Sequence, residues 1–246
     1  MSRTSAYYAI ILRSRPSGES NREIWLLTAE AGLVRAVLFG GPKSKLRSHA
    51  APFHSGKVWI YHDPVKNFYK LNDFDVQSWR PGLREMYERA MAADAVSHTV
   101  LASEGGGGAW SGAIKLVEEN LNALETANEE CCSRIQLHFF WQWINFLGLR
   151  PQFDSCVSCE KAIPQTEPLW YSAKEDGALC ADCVSQGTED LQINPGCRRW
   201  LASVEALSPS RLSSHTMDKK SLGETKALTS LILAKALGAR LNSWNW

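Results

Sequence analysis

The chain has 246 residues, of which 44% are hydrophobic, 22% are charged and 10% are aromatic, and its formal net charge is +1. This composition excludes a fibrous or wholly disordered protein, and no apolar run reaches the roughly 18 residues that a membrane-spanning helix needs. The seven cysteines are an odd number, and the first residues show no signal-peptide pattern. We therefore expect a cytoplasmic protein with a metal site instead of a disulfide framework.

The charge is unevenly distributed along the chain. Residues 1–80 carry 12 Lys and Arg against 6 Asp and Glu, whereas residues 81–150 carry 5 against 9. A basic first third is typical of a surface that binds a polyanion, although an ordinary solvated basic domain has the same composition.

The first 80 residues predict a small β-barrel. Ala6–Leu12 is a nearly continuous apolar run, as in a strand that is buried on both faces. A hairpin turn is predicted at residues 30–32, and four further segments resemble strands: Arg22–Thr28, Leu33–Phe39, Lys57–His62 and Asn67–Val76. Five strands without a clear helical period favour a closed barrel over half of a βαβ unit.

From Pro81 onwards the apolar residues recur at helical spacing, which predicts an α-helical domain over residues 81–246 and an α+β fold class. Pro81 suits the first turn of a helix that continues to about Ser103. Further helices are predicted over Trp110 to Leu124, about Ser133–Leu147, Pro195–Leu207 and Ser221–Leu241. The segment at 133–147 is rich in aromatic residues, which favours a packed core.

Four cysteines stand in two CxxC pairs, Cys156 with Cys159 and Cys180 with Cys183. A CxxC turn points two thiolates at one ion, and two such turns complete a tetrahedral sulfur shell of the kind that zinc prefers. Because four protein ligands leave no position for water, we expect one structural Zn²⁺ in a zinc element at about residues 151–190.

Enzymatic interpretations of the chain fit less well. A thioredoxin-like redox pair leaves the second CxxC unexplained, and a zinc deaminase needs a His-x-Glu element that the sequence lacks. No GxSxG, HExxH or GxGxxG motif occurs, and the histidines form no recognisable pairing with Cys or Ser. The sequence therefore predicts no catalytic residues.

The densest basic cluster follows the third predicted strand, at residues 40–48. Its cations, Lys43, Lys45 and Arg47, suit a loop that contacts a phosphate backbone. The segment is not a P-loop, because the GxxxxGK(S/T) motif is not satisfied and no helix is predicted after the glycines. Four cations on neighbouring strands could extend the cationic surface, namely Arg35, Lys57, Lys66 and Lys70, and Arg13 and Arg15 could join it or be merely solvated. Interleaved aromatic residues could stack on bases or belong to the core, namely Phe53, Trp59, Phe68 and Tyr69.

This order of elements resembles the RecO family of bacterial DNA repair and recombination mediators. The resemblance extends to the opening strand and loop at residues 9–20, to Leu33–Arg47 followed by Pro52-Phe53, and to the region from Phe146 to Cys183. It covers the chain up to about residue 185 and is vague beyond that.

The resemblance implies an OB-fold barrel in front of a helical domain with a zinc element, in a nucleoid-associated protein. It implies binding of single- and double-stranded DNA, annealing of complementary strands, and help in loading RecA on DNA coated by single-strand-binding protein. RecR and the acidic tail of the single-strand-binding protein would be the partners. The DNA contacts would fall on Arg35, Lys43, Lys45 and Arg47, and zinc on the four cysteines.

Two other functions remain open at this point: an RNA-binding or ribosome-associated protein that uses the same barrel and zinc ribbon, and a zinc-dependent nucleic-acid enzyme. The surface for the acidic tail is expected on the helical domain. The aromatic helix at 133–147 could form its groove, with cations from Arg134 and Arg150, or from Arg198 and Arg199. In the alternative interpretation these aromatic residues are closed core and the arginines are solvated.

Overall fold

The computed structural model describes residues 3–41, 44–185 and 190–238. The contacts within the chain divide it into two compact units, with the division between Cys132 and Ser133. The first unit therefore extends beyond the strands and includes two further helices. The predicted boundary at residue 80 instead marks the place where the sequence changes from a strand pattern to a helix pattern. No helix in these described ranges is long and apolar enough to cross a membrane.

The first unit is built on a closed barrel of five strands in the order β1-β2-β3-β5-β4, which is the OB-fold arrangement. The strands are β1 (Thr4–Ser17), β2 (Asn21–Thr28), β3 (Gly32–Leu38), β4 (Ser55–Asp63) and β5 (Phe68–Ser78). A register shift between Ile11 and Arg13 bends β1, so that its first half pairs with β4 and its second half with β2. The barrel predicted from the sequence is confirmed.

The basic segment after β3 contains a short helix, α1 (Lys45–His49), so the expectation that no helix follows the glycines is wrong. Leu46 packs against the barrel core and Ala50 is fully buried. One helical turn places residues four apart on the same side, so both apolar groups face the barrel, while Arg47 and His49 between them are half-buried and His49 contacts the Phe74 carbonyl.

A 3₁₀ turn (Pro81–Arg84) leads from the barrel into α2 (Tyr87–Ala102) and α3 (Trp110–Glu125). Arg80, just before this turn, has a left-handed backbone with φ 46° and an almost fully buried side chain. Its guanidinium donates to the Phe53 carbonyl at 2.6 Å, the Ser55 hydroxyl at 3.1 Å and Asn122 Oδ1 at 2.6 Å. It also pairs with Glu118 at 2.9 Å, so one side chain fastens α3 to the barrel.

The second unit holds a helical core and a small sheet. Its helices are α4 (Glu129–Phe146), which begins shortly before the division, α5 (Pro195–Val204) and α6 (Lys219–Leu237). A three-stranded sheet of order β7-β6-β8 lies between α4 and α5 in sequence, with β6 (Leu169–Ser172), β7 (Gly177–Leu179) and β8 (Leu191–Ile193). The aromatic residues of α4 form closed core, because Phe139, Phe140, Trp141 and Trp143 are all buried.

Candidate nucleic-acid interface and metal centre

The four predicted ligand cysteines come together in the second unit. The sulfur atoms of Cys156, Cys159, Cys180 and Cys183 all lie within 4.8 Å of one another, and Cys159 Sγ is 3.7 Å from Cys180 Sγ. Four sulfurs bound at about 2.3 Å to one tetrahedral ion are separated by about 3.8 Å. The donor set and its spacing therefore fit a single tetrahedral metal ion.

Two tight turns aim these sulfurs. The Cys156 amide donates to the Lys161 carbonyl at 2.9 Å, and the Glu160 amide donates to the Cys156 carbonyl at 2.8 Å. In the second turn the amides of Cys183 and Val184 both donate to the Cys180 carbonyl at 3.1 Å. The hairpin of β6 and β7 lies between the two turns in the chain.

The electrostatic environment of the centre favours the thiolate form of Cys156. Burial opposes ionisation of Cys156, but backbone N–H groups of Cys180, Cys159 and Ser158 point at its sulfur and lower its pKa to about 6. The Cys159 and Cys180 sulfurs crowd Cys183 and raise its pKa to about 12. Full ionisation of all four groups therefore requires a cation at their centre.

The remaining cysteines have no part in this centre. Cys131, Cys132 and Cys197 are buried, and burial raises the pKa of Cys132 to about 11 and that of Cys197 to about 12. They behave as small apolar core residues.

On the barrel, two arginines converge on one tryptophan. The guanidinium of Arg15 lies 5.7 Å from the centre of the Trp25 ring and that of Arg35 lies 5.6 Å from it. Arg35 also forms an ion pair with Glu23. Burial, and then the positive charge of Arg15, lower the pKa of Arg13, whereas the negative charge of Asp94 raises it. The face around Trp25 thus gathers the cations Arg15 and Arg35, with Glu23 paired to the second.

The structure distributes the predicted DNA-binding residues over more than one part of the barrel. Arg35 is on β3, Lys45 and Arg47 are on α1, and Lys43 lies outside the described residues. Lys57 is on β4, which β5 separates from β3. Its ammonium lies 5.2 Å from the Trp59 ring centre, and its neighbour across the strands is the acidic Asp75.

Sequence reasoning did not single out Trp25. Trp25 and Arg35 are each five residues from Glu30, the centre of the observed hairpin, and they are direct cross-strand partners. Residues that are equidistant from a hairpin centre face the same side of the sheet, but the predicted turn at 30–32 is centred one residue later and would pair Trp25 with Val37. Phe39, which is 47% exposed next to β3, was also not assigned a role.

The arginines expected to border a groove for an acidic tail are mostly engaged. Arg134 is buried and donates to the Leu212 carbonyl at 3.2 Å. Arg198 is buried and donates to four carbonyl oxygens, those of Phe153, Ile163, Pro164 and Glu167. Arg150 pairs with Glu205 at 3.0 Å, whereas Arg199 is exposed. The aromatic residues of α4 are closed core. The expectation that the arginines are solvated is wrong for Arg134 and Arg198, because the loop carbonyls around them need donors.

Family comparison covers both units of the chain. The model described as Recombination protein O N terminal matches residues 1–79, and the one described as Recombination protein O C terminal matches residues 84–245.

Individual relatives, each named DNA repair protein RecO, give the same picture. The protein of Rubrobacter xylanophilus is 27% identical over 237 residues, which are 94% of this chain and 91% of the relative. The protein of Synechococcus elongatus is 28% identical over 85% of this chain and 78% of its own length. That of Desulfitobacterium hafniense is 26% identical over 79% of this chain and 68% of its own length. With both terminal family models matched in order, the chain belongs to the RecO family.

Proposed function

We propose that this protein is a DNA-binding mediator of recombinational repair that aligns strands without bond chemistry. Membership of the RecO family supports a role in DNA repair. In the finer proposal, the protein anneals complementary strands and helps to load RecA on DNA coated by single-strand-binding protein, with RecR and the acidic tail of that protein as partners. The observation that carries the DNA-binding part is the cluster of Arg15, Trp25 and Arg35 on the barrel.

The physical basis of annealing is charge neutralisation. Two DNA strands repel each other through their phosphates, and each arginine or lysine that contacts a phosphate releases a condensed counterion and lowers that repulsion. The Trp25 ring limits the freedom of the Arg15 and Arg35 side chains, and the Glu23 carboxylate, which accepts from Nε and Nη2 of Arg35, leaves Nη1 of Arg35 for a phosphate. Such a face binds either strand without regard to sequence.

We propose that the metal is one Zn²⁺ with a structural role, held by the four cysteine sulfurs. Zinc bound there supplies folding energy and no open position for chemistry. The turns at 156–160 and 180–184 have few apolar residues of their own: of the four ligands only Cys156 is buried, and the side chains between them are mostly exposed. The metal thus replaces a hydrophobic core in this element.

The decisive experiment is an annealing assay with complementary strands that are coated beforehand with single-strand-binding protein. We expect the wild-type protein to accelerate annealing and the variant Arg15→Ala/Arg35→Ala to be about tenfold slower at low salt. Lys115→Ala is the matched control, because Lys115 is an exposed cation on α3 with a long ion pair to Glu119. A parallel arm with RNA oligomers at the same salt tests the RNA-binding alternative, and preference for RNA would contradict the proposal.

A further inference from the structure

A groove opens in the barrel wall where β3 and β5 meet. The two strands run parallel, and Val37 with Lys70 is the single pair in register between their described residues. Next to this pair lies a groove of about 420 Å³, which is lined by Glu23, Ala31, Leu33, Val34, Arg35, Val37, Asn67, Phe68 and Tyr69. The groove thus lies beside the one position at which the described residues of these strands pair.

Phe68 lines this groove, and the ring of Phe39 lies next to that of Phe68 just beyond the lining residues. Phe39 is 47% exposed, and its ring centre lies 6.1 Å from that of Phe68 with the planes inclined by 53°. The ammonium of Lys70 is 5.7 Å from the centre of the Phe39 ring. Exposing a phenylalanine to water is unfavourable, and an exposed ring beside a cation is the arrangement with which proteins hold unpaired bases.

Cations and hydrogen-bonding groups complete the groove. Arg35 lies on β3 and lines the groove. Val37 follows two residues later on β3, and its cross-strand neighbour on β5 is Lys70. The carboxylate of Glu23 and the amide of Asn67 also line it, and both can bond to the polar edge of a base. An extended peptide would leave the exposed Phe39 ring and the Lys70 ammonium beside it without a function, so the chemistry favours a nucleotide.

We propose that this groove holds one unpaired nucleobase of a bound single strand, stacked on Phe39 and Phe68, with neighbouring phosphates at Arg35 and Lys70. The inference rests on the proposed DNA-binding function and extends it, because a stacking site distinguishes single strands from duplexes. Bases inside a duplex are already stacked and paired, so they cannot enter the groove without unpairing. Arg15 and Arg35 then bind any DNA backbone, whereas the groove selects the single strand.

The test uses the full chain and a single-stranded oligonucleotide that contains one 2-aminopurine, whose fluorescence is quenched when the base stacks. We expect quenching with the wild-type protein and none with Phe39→Ala/Phe68→Ala. The loss of one to two stacked rings should lower single-strand affinity by about 5- to 150-fold and leave duplex affinity within about twofold. Tyr87→Ala is the control, because Tyr87 is 71% exposed on α2 and lies outside the groove. Phe39→Tyr keeps an aromatic ring at position 39 and should bind single strands as the wild type does.

Crosslinking of the wild-type protein tests the location without any variant. An oligonucleotide with 5-iododeoxyuridine should crosslink under ultraviolet light to Phe39, Phe68 or Tyr69, as mapped by mass spectrometry. Crosslinks confined to other residues, or equal loss of single-strand and duplex affinity in the double variant, would overturn the base site while the proposed function stands. Failure of the wild-type protein to bind any DNA would instead defeat the proposed function itself.

Discussion

At the scale of single residues, Gly177 governs how closely the first cysteine turn approaches the sheet. A Cβ at this position would lie 2.1 Å from Cγ1 of Val157, and the Val157 amide donates to the Ala178 carbonyl at 2.8 Å. Valine is stiff at χ1, so an added methyl group would push the turn away from β7. The requirement for glycine here comes from space and not from backbone conformation.

We therefore predict that Gly177→Ala weakens metal binding by about tenfold, because the turn that carries Cys156 and Cys159 is displaced. Chelator competition on the purified protein measures this directly. Gly223→Ala is the control, since a Cβ at Gly223 in α6 meets nothing within 4 Å and alanine favours a helix. Equal rates of metal release from Gly177→Ala and the wild type would contradict the geometry.

A second prediction concerns His138 in α4, which is 2% exposed and whose Nε2–H donates to the Leu207 carbonyl at 2.9 Å. Burial lowers its pKa, and the bond to Leu207 only partly opposes that shift. The unfolded chain, with a histidine pKa of about 6.5, therefore binds more protons than the folded chain at mildly acidic pH. The stability that neutral His138 contributes is present above pH 6.5 and is lost as the pH falls below it.

Denaturant unfolding between pH 7.5 and pH 5 measures this effect, since this range runs from about one unit above the unfolded histidine pKa to about 1.5 units below it. His138→Gln keeps a donor for Leu207 but cannot titrate, so its free energy of unfolding should fall less steeply with acid than that of the wild type. Parallel pH profiles for the two proteins would show that His138 is not responsible.

At the scale of elements, the Arg80 side chain fixes α3 against the barrel. Removal of Arg80 would leave the Phe53 carbonyl and Asn122 Oδ1 without this donor and Glu118 without its paired cation, although Tyr8 and Ser55 still donate to Glu118. Breaking a buried pair by removing one partner costs about 3–5 kcal/mol, and we predict this loss in the free energy of unfolding for Arg80→Ala. Lys115→Ala, which breaks the exposed pair with Glu119, should change it by less than about 1 kcal/mol. Similar values for both variants would refute a joining role for Arg80.

The strands and helices were predictable because their signals are local. Predicted Leu33–Phe39 corresponds to β3 at Gly32–Leu38, and the predicted Trp110 helix corresponds to α3. The helix α1 was missed because only tertiary contact of Leu46 with the barrel core stabilises five residues of basic sequence. The Arg80 network was also missed, because its partners are separated from it by 25 to 42 residues in the chain.

The site residues also divide into those with a local sequence signal and those that depend on contacts between distant segments. The four cysteines were predictable because zinc chemistry imposes a spacing that the sequence displays. The cluster at Trp25 depends on cross-strand register, and the groove beside Phe68 depends on a strand pairing between segments that are distant in sequence. Charge alone therefore pointed to a basic loop at Lys45 and Arg47, and it did not show that Arg15 and Arg35 meet on one ring.

At the scale of the whole molecule, the proposed DNA contacts and the metal ligands lie in different compact units. Arg15 and Arg35 are in the first unit and the four cysteines are in the second. Variants of the barrel face should therefore alter DNA affinity without releasing metal, and Gly177→Ala should release metal without altering the salt dependence of DNA binding. This separation lets each part of the account be measured independently.

The most direct test of the central claim is the salt dependence of single-stranded DNA affinity for the wild type and for Arg15→Ala/Arg35→Ala. Each phosphate contact on a single strand contributes a slope of about 0.7 in a plot of log affinity against log salt. We predict that the double variant loses about 1.4 units of slope and that Lys115→Ala loses none. An unchanged affinity and slope in Arg15→Ala/Arg35→Ala would show that the arginines over Trp25 do not contact DNA.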